Sequence, residues 1–226
     1  MNFDPVTLLP RLFAVAMILL ISFPVHEFAH ALAAYRLGDG TAKLFGRLTL
    51  NPIAHFDPLG GLLLLVSSLS GFGIGWAKPT PVNPANLRGG RDSEGIVAFA
   101  GPASNLVLAA LAAIPLRLLI AAADGGTAVP PVVLNALAFF ILINVALMIF
   151  NLVPIPPLDG SKVLFSMLSP RQVWQWRPVL EQYGFLILIL VAFVPILPGG
   201  ETVFGFIFTK IGIPIVNILV GRPIFA

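Results

Sequence analysis

His26-Glu27-Phe28-Ala29-His30 stands near the end of the first long apolar run, and it sets how the rest of the chain is read. On a helix, residues four apart share a face. Two imidazoles on one face with a glutamate beside the first form the zinc-hydrolase pattern HExxH. His26 and His30 supply nitrogen ligands to zinc, and Glu27 is suited to take a proton from water that the metal activates. The five-residue pattern also occurs by chance as two packing histidines and an acid. Here the surroundings argue against that, because Phe13 to Pro24 carries no charge. Ionisable groups at membrane depth are costly and are read as functional by default.

Composition supports a membrane setting. Of 226 residues, 58% are hydrophobic and only 10% charged, with a mean hydropathy of +0.96. Soluble domains carry about 25% charge. There is no cysteine, so disulfides and thiolate metal sites are excluded, and the histidines number three: His26, His30 and His55. The net charge of +3 reflects scarce acids. With no polybasic tract, no nucleic-acid partner is expected; the lipid bilayer is. The first apolar run is long and ends in HExxH, unlike a cleavable signal.

The expected fold is an all-α polytopic membrane protein of five to six transmembrane helices. A re-entrant element and short β-strands are expected near the cytoplasmic face. After a lead over Asn2 to Pro10, the first crossing runs from Arg11 to about Arg36. That is long enough for a core of about 30 Å. Pro24 is expected to kink it just before the histidines. Thr41 to Leu50 and Trp76 to Pro84 read as strand-like segments. Leu59 to Ser70 is too short to cross, and its flanking glycines suggest a re-entrant turn. Further crossings are expected at Gly95 to Ile120, Val132 to Phe150, Tyr183 to Leu197 and Val203 to Val220.

Charge bias supports five crossings. If Leu59 to Ser70 does not cross, ten basic residues fall on one side: Arg36, Lys43, Arg47, Lys78, Arg88, Arg91, Lys162, Arg171, Arg177 and Arg222. Arg11 and Arg117 fall on the other, and Lys210 lies inside a span. The positive side is cytoplasmic. The first and third crossings are then parallel, so Asp159 can meet the histidines at similar depth. A catalytic zinc wants three protein ligands and one open position. By residue type alone the third is His55, Asp57, Asp159 or Glu94. Asp159 follows Pro154, Pro156 and Pro157, which forbid continued helix. Unwound backbone at that depth lines a cavity or is buried in protein.

Three motifs now stand in order. They are HEFAH at 26–30, Gly101-Pro-Ala-Ser-Asn105, and Asn151-Leu-Val-Pro-Ile-Pro-Pro-Leu-Asp159-Gly160. In this the chain resembles the site-2 protease family of intramembrane zinc metalloproteases, in a compact bacterial form without a PDZ or CBS domain. The resemblance covers about residues 10–170. It implies one membrane protease domain over 1–226, with two further spans at about 180–222. It implies that His26, His30 and Asp159 bind zinc, that Glu27 is the general base, and that Asn151 holds substrate or oxyanion. It also implies transmembrane protein or peptide substrates, and a cell-membrane location with the active site towards the cytoplasm. His55 is a candidate gate or auxiliary ligand, or else an interfacial histidine bonded to backbone. Two other functions fit less well. A metal transporter would need polar groups along a whole path, and an inactive zinc-binding scaffold would usually have lost Glu27 or a ligand.

Overall fold

The computed structural model describes residues 12–13, 15–69 and 75–223. The expected lead over Asn2 to Pro10, with Arg11 and the glycine run from Gly71 to Ile74, lies outside them. Among the described residues, nine helices organise the chain. They are α1 (Val15–Arg36), α2 (Thr41–Leu44), α3 (Pro52–His55), α4 (Pro58–Leu69) and α5 (Gly90–Asp124), then α6 (Pro131–Asn151), α7 (Asp159–Met167), α8 (Pro170–Phe193) and α9 (Val203–Val220). Five of them, α1, α5, α6, α8 and α9, are long and apolar enough to cross a membrane.

Prolines shape the long helices. A proline lacks the N–H and its ring presses on the carbonyl four residues back. In α1 a wide π-turn, Ile18–Ser22, comes just before Pro24. In α9 another, Phe208–Gly212, comes just before Pro214. The wider turn makes room for the ring, so both helices continue.

The core lies where α5, α6 and α9 meet. Ala109, Ala113 and Leu116 of α5 pack with Ile141 and Val145 of α6 and with Val216 and Val220 of α9. Ala109 and Ala113 are four apart and small, which lets the backbones approach closely.

Contacts fix the helix directions. His26 bonds to Asn105 and His30 to Val97, so α1 and α5 are antiparallel. The N–H of Arg88 donates to the Leu37 carbonyl. The Asp39 carboxylate accepts from the Asn83 N–H and from Asn86 Nδ2. The whole stretch from 40 to 82 therefore leaves and returns at one end of the bundle. α4 within it spans 12 residues, about 18 Å.

Two expectations are corrected here. Among the described residues there is no strand. Thr41 to Leu50 opens as a helix, because Asp39 Oδ1 accepts from Thr41 N and Thr41 Oγ1. That local bonding competes with a ladder. Trp76 to Asn83 lies outside any helix or strand and Pro84 opens a short 3-10 turn; Pro79, Pro81 and Pro84 have no N–H to donate. The turn expected within Leu59 to Ser70 is absent from its described part. Pro58–Leu69 is one unbroken helix, with Leu59, Leu62 and Val66 exposed. The chain beyond it comes back alongside, with Trp76 against Gly60 and Gly75 against Leu64.

The last two helices depart from the expected directions. Phe204 meets Phe150 edge to face at 5.4 Å, at the Asn151 end of α6. Arg117 Nη2 donates to the Ile218 carbonyl at 2.6 Å, and Arg222 pairs with Asp124 at 3.2 Å. α9 therefore runs parallel to α5. In α8, Gly184 packs on the Pro156 carbonyl and Leu188 packs with Val153 and Leu158. Phe193 lies only about 7.5 Å beyond Leu188, whereas α6 is about 30 Å long. Residues 194–202 reach at most about 32 Å fully extended. Going to the far end of α6 and back to Phe204 needs about 45 Å on the same geometry. α8 thus stops part-way along the bundle. Arg222, expected at the end of Arg36, sits at the opposite end with Asp124.

Candidate metal centre

Two elements deliver one cluster. α1 brings His26 and His30 on one face, and α7 begins at Asp159. His26 Nε2 and His30 Nε2 are 3.0 Å apart. Each lies 3.1 Å from Asp159 Oδ2. Among the described residues these three form the one group of three or more His, Asp or Glu side chains able to share a metal ion. Both histidines are buried.

The opposite ring nitrogens are tied back. His26 Nδ1–H donates to Asn105 Oδ1 at 3.2 Å. His30 Nδ1–H donates to the Val97 carbonyl at 2.7 Å. Both partners are on α5, and Asn105 is 1% exposed. With Nδ1 protonated, each Nε2 carries its lone pair towards the cluster, as metal-ligating histidines do.

A third feature is empty volume. α5 passes the imidazoles at Gly101, where a Cβ would collide with His30 Nε2 and stand 2.6 Å from His26 Nε2. The donor set is two imidazole nitrogens and one carboxylate oxygen, with room kept beside them by a missing side chain. That fits zinc in an open catalytic site.

Glu27 is half-buried next to the pair. Its Oε2 accepts from the Thr80 N–H at 2.7 Å. Asn151 ends α6, and its Nδ2 donates one turn back to the Leu147 carbonyl at 3.0 Å. His55 lies outside the cluster. It is 1% exposed and its Nε2 donates to the Thr49 carbonyl at 2.8 Å. Burial pushes its imidazole down, and the nearby Arg47 charge does the same. Asp57 accepts from the Gly60 N–H as a helix-start bond.

Comparison with known proteins agrees with this centre. The model of peptidase family M50 matches residues 116–196. YwhC of Bacillus subtilis, named as a candidate zinc metalloprotease, is 39% identical over 193 residues, covering 85% of this chain and 84% of the relative. The chain belongs to peptidase family M50. Rip2 of Mycolicibacterium smegmatis is 37% identical over 181 residues, 79% of this M50 chain and 66% of the relative. Rip3 of Mycobacterium tuberculosis is 30% identical over 161 residues, 69% of this chain and 31% of the relative. Both carry names of the same kind. No solved structure matches.

Sequence reasoning passed over two members of this M50 centre. Gly101 and Asn105 stand at the two ends of the motif Gly101-Pro-Ala-Ser-Asn105, but the sequence reading gives neither of them a role at the metal. Their i, i+4 spacing, matching that of the histidines, is the signal that pairs the two faces. The Val97 carbonyl carries no side-chain signal.

Proposed function

We propose that this chain is an intramembrane zinc endopeptidase, with His26, His30 and Asp159 as the metal ligands and Glu27 as the general base. The observation that carries the reading is the convergence of His26 Nε2, His30 Nε2 and Asp159 Oδ2 within 3.1 Å of one another, with both Nδ1 atoms already engaged. A bound zinc supplies Lewis-acid chemistry, acidifying water and polarising a peptide carbonyl. Glu27 takes the proton from the attacking water and passes it to the leaving nitrogen. Asn151 keeps one N–H on Leu147 and offers the other to the developing oxyanion. Residues 1–226 act as one protease domain.

The substrates are transmembrane segments of other membrane proteins, cut near one face. His30 is six residues from Arg36, about 9 Å along α1, so the centre sits inside the apolar zone but close to one surface. That surface is cytoplasmic. Arg36, Lys43, Arg47, Lys78, Arg88, Arg91, Lys162, Arg171 and Arg177 gather there, against Arg117 and Arg222 at the other end.

The test is Glu27→Gln in the purified, reconstituted chain. It removes the base and no ligand, so bound zinc stays at the parent level while cleavage of a model transmembrane substrate stops. A Glu27→Gln protein that cuts at the parent rate rules out the assignment.

A further inference from the structure

Lys78-Pro79-Thr80-Pro81-Val82 reaches the centre as a segment outside any helix or strand. Proline has no N–H, so Thr80 carries the one amide proton between Lys78 and Val82. That proton goes to Glu27 Oε2 at 2.7 Å. The Thr80 hydroxyl donates to the backbone carbonyl of Glu27 at 3.0 Å. One residue thus holds Glu27 at both its backbone and its carboxylate. The strap is itself fixed just upstream. Arg47, 4% exposed, donates Nη1 to the Ala54 carbonyl and Nη2 to those of Lys78 and Pro79. The Lys78 N–H donates to the His55 carbonyl at 2.9 Å. Pro81 biases Thr80 away from helix.

We propose that Thr80 is a positioning residue for Glu27: its amide and its hydroxyl together hold the residue, so that one carboxylate oxygen is pinned and the other, Oε1, is aimed at the attacking water. A free glutamate samples several rotamers about its side-chain bonds. Proton transfer requires a heavy-atom distance of about 2.6–3.2 Å, and a misplacement of about 1 Å costs up to roughly 100-fold. The proposal rests on the reading of Glu27 as base.

The test has two arms. In the metal-free full chain, hydrogen–deuterium exchange resolved to 79–81 reports on the Thr80 amide alone, because Pro79 and Pro81 contribute none. Glu27→Ala removes the acceptor, and exchange at Thr80 should speed up by roughly tenfold or more. Unchanged exchange overturns the proposal. In the zinc-loaded enzyme, Thr80→Val keeps shape and amide but deletes the hydroxyl bond. It should lower kcat roughly tenfold, with KM and zinc content at parent values, and Thr80→Ser should recover the rate. A Thr80→Val enzyme with the parent kcat overturns the proposal. So does one that is faster, as a competing strap would make it, or one whose loss tracks KM or zinc. If Glu27→Gln still cuts, the reading of Glu27 as base fails, while the exchange result for Thr80 stands separately.

Discussion

Gly101→Ala separates metal binding from folding. Gly101 is inside α5, where alanine is the better helix former by about 1 kcal/mol, so the helix alone gains. The added methyl, however, points at the ligands. Its Cβ would stand 2.5 Å from His30 Cε1 and 2.6 Å from His26 Nε2. Carbon contacts settle at about 3.5 Å or more, so both rings must retreat by about 1 Å. His26 and His30 cannot do so without breaking their bonds to Asn105 and Val97. Zinc ligands tolerate about 0.2 Å, and losing one supporting partner of a ligand already costs roughly 10–100-fold in affinity. Zinc affinity should therefore fall by at least about 100-fold by that measure, with the helical signal retained. Metal analysis and competition with a chelator decide it. A Gly101→Ala chain that binds one zinc with the parent affinity would refute the space-keeping role of this glycine.

Other outcomes follow from the same geometry. Asp159→Ala should strip the metal, whereas His55→Ala should leave it and lower the melting temperature, since His55 is buried on the Thr49 carbonyl; metal analysis of both variants reverses the ligand set if the losses are swapped. Burial pushes the Asp39 carboxyl up, but bonds from Thr41, Asn86 and Asn83 hold it below its ordinary value. Its contribution is therefore full above about pH 3.9 and is lost as pH falls through the lower folded value. Asp39→Asn should flatten the acid side of the stability curve, and an unchanged acid limb refutes the effect. The chain has no cysteine, so single cysteines at Lys43 and Arg88 should label from one side of the membrane and those at Gly125 and Arg222 from the other. Labelling of Lys43 and Arg88 from opposite faces, or of Arg222 from the face of Lys43, contradicts the helix directions derived above.

The local pattern of the sequence determined the chemistry. HExxH on a charge-free run puts two imidazoles and a carboxylate on one helix, because a 3.6-residue period is a local property. The motif ending in Asp159 broke its helix through prolines, also locally. Only the tertiary structure decided which atoms support these groups. Nothing in the Val97 side chain marks its carbonyl as the partner of His30, and no spacing within α1 places Thr80 over Glu27. These are contacts between segments far apart in sequence, set by packing. Strand-like composition at Thr41 to Leu50 gave way to the Asp39 carboxylate, which offered the backbone a nearer partner. The placement of Arg222 failed because counting apolar runs assumes that each one crosses. α8 has the length and hydropathy of a span, yet it stops beside Val153 and Leu158, and the return over 194–202 sends α9 the other way. Length and hydropathy bound what a segment can do in a membrane; the neighbours it packs against decide how far it goes.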